Sequence, residues 1–194
     1  MRDTDSTGTH PDSPALGVRP HLAGLDATAT ESATPAATLL VGERPALEPW
    51  LGDLVDETGV AVTVASSPTA RTWWTDTAGR VDVVVDATAS DRTHEETNGR
   101  TVSRPSARPD TSAVLATCSD VLDDLDPGAI VVDGIAPFVT ADLKSGHRMV
   151  HALASVARFA GGRLVVTMDP SVVAPHVVTL FSLGVDETVT LEEP

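Results

Sequence analysis

From Ala37 onward the chain repeats one pattern: a short unbroken apolar run, a punctuating residue, and then a longer stretch with helical spacing. The runs are Ala37–Gly42, Val60–Ala65, Val81–Asp86, Ala129–Asp133 and Leu164–Met168, with a last strand over Val185–Leu191. Val and Ala dominate them, and most do not alternate apolar with polar. A strand that is apolar on both faces is buried on both, which is the condition of a parallel sheet covered by helices on either side.

The intervening stretches carry the helical period. Leu47, Leu51, Leu54 and Val55 recur over Arg44–Thr58, and Gly59 stops that helix. Helices are also predicted over Ser112–Leu125, ended by Pro127 and Gly128, and over Ser171–Leu183. The clearest helix covers Leu143–Ala160, with Val150, Leu153, Ala154 and Ala157 on one face and Gly161-Gly162 as its stop. Ser66–Arg80, which holds Trp73 and Trp74, reads as a short helix or an irregular crossover. Residues 87–109 are rich in Thr, Ser, Arg, Glu and Asn and read as an irregular loop. Residues 1–35 are Thr-, Ser-, Asp-, Ala- and Pro-rich with no apolar period, a flexible acidic leader. Residues 36–194 then form a single α/β domain: a mainly parallel sheet with helices on both faces.

Charge narrows the function classes. Asp and Glu number 28 against 13 Lys and Arg, of which Lys144 is the single lysine, so the formal charge is −15. Such a surface repels phosphate backbones and anionic lipid, which disfavours general nucleic-acid or membrane binding. Acidic, lysine-poor composition of this kind resembles that of halophilic archaeal proteins, whose carboxylates stay hydrated while salt screens their repulsion. No apolar run reaches the length of a membrane span, and the first residues lack the basic start and apolar stretch of a signal peptide. The expected location is therefore cytoplasmic. Cys118 is the single cysteine, so no internal disulfide and no cysteine-built zinc site can form, and a small core residue is its expected role.

Ligands of open parallel sheets bind beyond the carboxyl ends of the strands. Asp86, Asp133 and Asp169 fall there, and converging carboxylates would hold a divalent cation such as Mg²⁺. Helix capping is the competing use of an Asp at such a junction. The first strand-to-helix turn reads Gly42-Glu43-Arg44-Pro45-Ala46-Leu47-Glu48-Pro49. A phosphate-binding loop needs amide donors from a glycine-rich segment, a Lys for the phosphates and a Ser or Thr for Mg²⁺. Here Gly42 fits, Arg44 is the one nearby cation, two prolines remove donors, and Glu43 and Glu48 oppose an anion. His147 and His151 share a helix face, but Arg148 stands where a zinc hydrolase places Glu; the expected role is that of helix-surface histidines. No Gly-x-Ser-x-Gly elbow is present. Arg92, Arg100, Arg104 and Arg108 cluster in the 87–109 segment, as an anion contact or as solvated side chains. Trp73-Trp74 is either a partner-facing anchor or a lid on the sheet edge.

The run Pro127-Gly128-Ala129-Ile130-Val131-Val132-Asp133-Gly134-Ile135 resembles the Walker B strand of RecA/KaiC-type ATPases, and the segment through Met168-Asp169-Pro170 to Leu191 continues the resemblance. Together they are similar to haloarchaeal RecA/KaiC-related proteins with a degenerate P-loop. The resemblance implies a RecA/KaiC-like P-loop NTPase core with Asp133 as the metal-facing acid and a regulatory or signalling setting. No Walker A Lys or Ser/Thr follows Gly42. The expectation is a non-catalytic domain acting through a protein partner or self-association, with no cofactor. The alternative is a divalent-metal-dependent enzyme or small-ligand sensor using the strand-end acids.

Overall fold

The computed structural model describes residues 36–76, 81–88, 93–97, 100–104, 111–122 and 128–192; the leader assigned to 1–35 lies outside them. The chain order is β1 (Ala37–Val41), α1 (Arg44–Thr58), β2 (Val60–Ala65), α2 (Pro68–Asp76) and β3 (Val81–Asp86). Next come β4 (Thr93–Thr97), β5 (Arg100–Arg104), α3 (Thr111–Leu122) and β6 (Ala129–Asp133). The last elements are α4 (Ala136–Ala141), α5 (Leu143–Phe159), β7 (Arg163–Met168), α6 (Pro175–Ser182) and β8 (Glu187–Thr190).

All eight strands join one sheet in the order β4-β5-β3-β2-β6-β7-β1-β8. Every pairing from β5 to β8 is parallel, and only the edge strand β4 runs antiparallel to its neighbour. The unbroken apolar runs follow from layers on both faces. On β6, Val131 packs with Leu47, Leu51 and Leu54 of α1 and Trp74 of α2. Its neighbour Val132 packs on the other face with Val114 of α3, Phe138 of α4, Leu153 of α5 and Phe181 of α6. Successive side chains point to opposite faces, so a strand feeding two cores must be apolar at every position. Among the described residues no helix is long and apolar enough to cross a membrane.

Two expectations are corrected. The segment 87–109 is no continuous irregular loop: β4 and β5 pair antiparallel, Thr93 with Arg104 through Thr97 with Arg100, and β5 pairs parallel with β3. An edge ribbon is held by backbone hydrogen bonds and needs no long apolar run to form. Arg100 and Arg104 therefore lie on a strand, whereas Arg92 and Arg108 lie outside the described residues. Second, the predicted helix over Ser171–Leu183 begins only at Pro175, because Asp169 ties its carboxylate to the Ser171 amide and hydroxyl in a turn of its own. Residues Ala136–Ala141, for which the sequence predicts no element, form α4, a separate short helix between β6 and the long α5. Asp142, extended at φ −157° and ψ 103°, breaks the two apart and caps α5 by accepting from the Lys144 amide. Gly146 lets α5 cross α4 closely, since a β-carbon there would sit 2.9 Å from Val139 Cγ1 and 3.3 Å from the Val139 amide nitrogen. Ser66–Arg80 resolves in favour of a helix, α2, over Pro68–Asp76.

Candidate functional site

The helix following β2 covers one face of the sheet and the helices following the neighbouring β6 cover the other. Their divergence opens a crevice at the carboxyl ends of the strands, where such sheets place ligands. A cleft of about 750 Å³ lies there, lined among others by Arg44, Ser66, Asp133, Pro137, Thr140 and Asp169.

Asp133 is the centre of this region and is only 2% exposed. Residues 129, 131 and 133 of β6 face α1 and α2, so its carboxylate meets side chains from those helices. Oδ2 accepts from Arg44 Nη1 at 2.5 Å and from Trp74 Nε1 at 2.7 Å, and Oδ1 accepts from Thr167 Oγ1 at 3.0 Å. Thr167 Oγ1 in turn accepts from the Gly134 amide at 2.7 Å. Ser66 Oγ donates to the Asp133 carbonyl at 3.0 Å and also reaches the Gly134 carbonyl. Gly134 has φ +88°, and its missing side chain makes room for that hydroxyl, since a β-carbon would lie 2.6 Å from Ser66 Oγ. The acid is thus buried, paired and hydrogen-bonded from three directions, the arrangement a buried carboxylate requires.

Arg44 is the first residue of α1. Its Nε donates to Glu48 Oε1 at 2.8 Å and its guanidinium carbon lies 5.3 Å from the centroid of the Trp73 ring. Burial opposes the Arg44 charge, but Asp133 and then Glu48 outweigh it and hold the guanidinium above its ordinary pKa. Nη2 is buried with no hydrogen-bond acceptor among the described residues.

The turn between β1 and α1 is only Gly42 and Glu43. The Gly42 amide donates to the Met168 carbonyl at 3.1 Å, and the Ala46 and Leu47 amides both donate to the Glu43 carbonyl. A β-carbon at Gly42 would stand 3.1 Å from Leu191, so this glycine permits a close approach of the chain after β8. Of the two phosphate-loop candidates, Gly42 spends its amide on the sheet and Arg44 spends Nη1 on Asp133.

The three strand-end acids occupy the edge that the sequence assigned them, but their carboxylates are engaged separately. Ala65 of β2 is the register partner of both Asp86 and Asp133, which places those two acids two strands apart, about 10 Å. Asp86 accepts from the Thr88 amide and hydroxyl and lies 3.0 Å from Arg71 Nε. Asp169 closes the turn to Ser171. Among the described residues no three His, Cys, Asp or Glu side chains gather as a metal cluster. Thr167 and Trp74 were not singled out as partners of Asp133. The signal for Thr167 is a lone hydroxyl inside the apolar run Leu164–Met168, a position that demands a buried acceptor.

Outside the cleft, His147 and His151 approach with Nε2 atoms 3.3 Å apart, and the His147 ring stands edge-on to Phe181 at 5.6 Å. Burial, and then the nearby charge of His151, hold His147 below the ordinary histidine pKa. Asp142, at the start of the same helix, is held below the usual carboxylate value mainly by the Ser145 hydroxyl. Cys118 is buried within the core, where desolvation pushes its thiol up to about 12. Of the Trp pair, Trp74 is fully buried against Asp133 on an interior strand rather than on the sheet edge, and Trp73 is half-buried, edge-on to Trp74 and near Arg44. No protein-family model matches the chain, and neither does any curated protein.

Proposed function

We propose that the chain is a non-catalytic α/β domain with a degenerate RecA/KaiC-type core, which acts through protein contacts rather than nucleotide turnover. The observation that carries this reading is the Arg44–Asp133 ion pair beside a two-residue β1–α1 turn. A phosphate loop of the G-x-x-x-x-G-K-[ST] kind needs several free amides, an ammonium group and a hydroxyl at this place. The acid that the Walker B resemblance assigns to a metal is instead neutralised from within the chain. The internal guanidinium supplies the positive charge that Mg²⁺ and a lysine bring to a nucleotide site. Phe159, 96% exposed, and Leu183, 82% exposed, are apolar side chains left in solvent, as contact residues are. Titration calorimetry with ATP and Mg²⁺ in molar KCl tests the reading. No heat of binding at millimolar nucleotide is expected, and micromolar ATP binding overturns it.

A second reading is favoured by the cleft itself. Its size suits a small metabolite, and Arg44 on its lining is the cation that a carboxylate or phosphate there would meet. In this reading the domain is a small-ligand sensor. Thermal-shift measurements against small organic anions separate the two, because a ligand raises the midpoint by mass action and the first reading expects no such rise.

A further inference from the structure

We infer that His147 and His151 form a surface chelate for a late first-row divalent metal ion, Zn²⁺, Ni²⁺ or Cu²⁺, completed by water. This assignment is independent of the cleft and of the reading placed on it.

The two residues sit one helical turn apart on α5, at i and i+4, so their side chains rise from the same face. Sharing a face does not by itself aim two rings at one point. Here the two Nε2 atoms lie 3.3 Å apart, with the ring centroids at 4.4 Å and the ring planes at 67° to each other. Zinc binds histidine nitrogen at about 2.05 Å, so two such ligands on a tetrahedral ion stand about 3.3 Å apart. The pair therefore already has the bite that the metal requires. Without an ion, the same spacing accommodates one Nε2–H donating to the other nitrogen in the opposite tautomer.

Two features of the surroundings fix this geometry. His147 is wedged edge-on to Phe181, itself buried in the core, so its ring is held by packing. Gly184 lies beside both nitrogens: an ideal β-carbon there would lie 3.1 Å from His147 Nε2 and 3.3 Å from His151 Nε2. With hydrogen there instead of a side chain, residue 184 sets no methyl group against the two nitrogens. Imidazole pairs suit the late first-row divalent ions and give Ca²⁺ and Mg²⁺, which prefer oxygen, little to bind. The net charge of −15 adds a general attraction for cations that molar KCl screens, so binding that persists in high salt must come from the ligands themselves.

The test is calorimetric titration of the full chain with Zn²⁺ and Ni²⁺ in chelator-stripped molar KCl, beside His151→Ala, His151→Gln and His176→Ala. His151 is exposed, so its replacement leaves the core intact, and an unchanged thermal midpoint without metal verifies this. One ion per chain is expected, weakened by more than about tenfold in both His151 variants because a two-point chelate becomes a single ligand. His176→Ala, which removes a histidine on α6 that takes no part in the pair, is expected to bind as the parent does. Gly184→Ala is expected to weaken binding as well, by crowding both nitrogens. Absence of binding, or equal affinity in the parent and both His151 variants, overturns the assignment.

Discussion

Arg44, the residue that opens α1, places Nη1 2.5 Å from Oδ2 of Asp133, the residue that ends β6. The contact spans 89 positions of sequence. It joins the only cation of the first strand-to-helix turn to the acid of the Walker B-like run. In a parallel sheet both groups arrive at the carboxyl edge, and here each satisfies the other.

Arg44→Met leaves a carboxylate that is almost wholly buried facing only Trp74 and Thr167. Removing one partner of a buried pair costs about 3–5 kcal/mol, and the partial exposure of Arg44 lowers the expected loss to about 2–3 kcal/mol. Asp133→Asn in the same background restores part of it, because no charge is then left uncompensated. Denaturant unfolding of the two single variants and the double variant at fixed KCl measures this, with a coupling of about 1–3 kcal/mol expected. Strict additivity contradicts the pair's role.

Two glycines respond in opposite directions to the same substitution. Gly134→Ala forces a β-carbon onto Ser66 Oγ in a backbone of positive φ, and a loss of about 1–3 kcal/mol is expected. Gly52→Ala, within α1 where nothing lies within 4 Å of the new methyl, gains about 0.5–1 kcal/mol. Thermal midpoints of the two variants provide the comparison.

Cys118 is expected to be inert toward thiol reagents in the folded protein. It has no exposed surface, and its thiol is pushed up to about 12, so almost no thiolate exists near neutral pH. Modification should appear only with denaturant, in step with loss of structure. Rapid labelling of the native chain contradicts the packing of α3.

Two side chains contribute to the acid side of the stability profile with the same sign. His147 protonates less readily folded than unfolded, so its contribution is whole above the ordinary histidine value of 6.5. That contribution is lost as pH falls from there toward the lower folded value. Asp142 follows the same sign at lower pH: its contribution is present above the ordinary 3.8 and disappears as the carboxylate protonates. In EDTA, His147→Gln should remove the first decline and leave the second. Thermal midpoints recorded across this range show whether it does.

The layered sheet was legible in the sequence. The nearly unbroken apolar runs Val60–Ala65 and Ala129–Asp133, interrupted only by Thr63 and the terminal Asp133, fit strands buried on both faces, and the helices between them follow from the spacing of Leu47, Leu51 and Leu54 and of Val150, Leu153 and Ala157. It also placed Asp86, Asp133 and Asp169 at one edge, because every parallel strand delivers its last residue there. The sequence also carries a local signal for the β4–β5 pair, since Asn-Gly, here at 98–99 between Thr97 and Arg100, is a dipeptide that favours hairpins. The pairing of the acids was not legible. Which carboxylate meets which cation depends on strand order, and the order β2-β6-β7-β1 is set by nonlocal packing rather than by any single segment. Only the folded chain brings Arg44, Trp74 and Thr167 from three separate elements onto Asp133, and only there do the Nε2 atoms of His147 and His151 come within 3.3 Å of each other beside Gly184. Periodicity specifies which face a residue takes, whereas the direction of a side chain is decided by what packs against it.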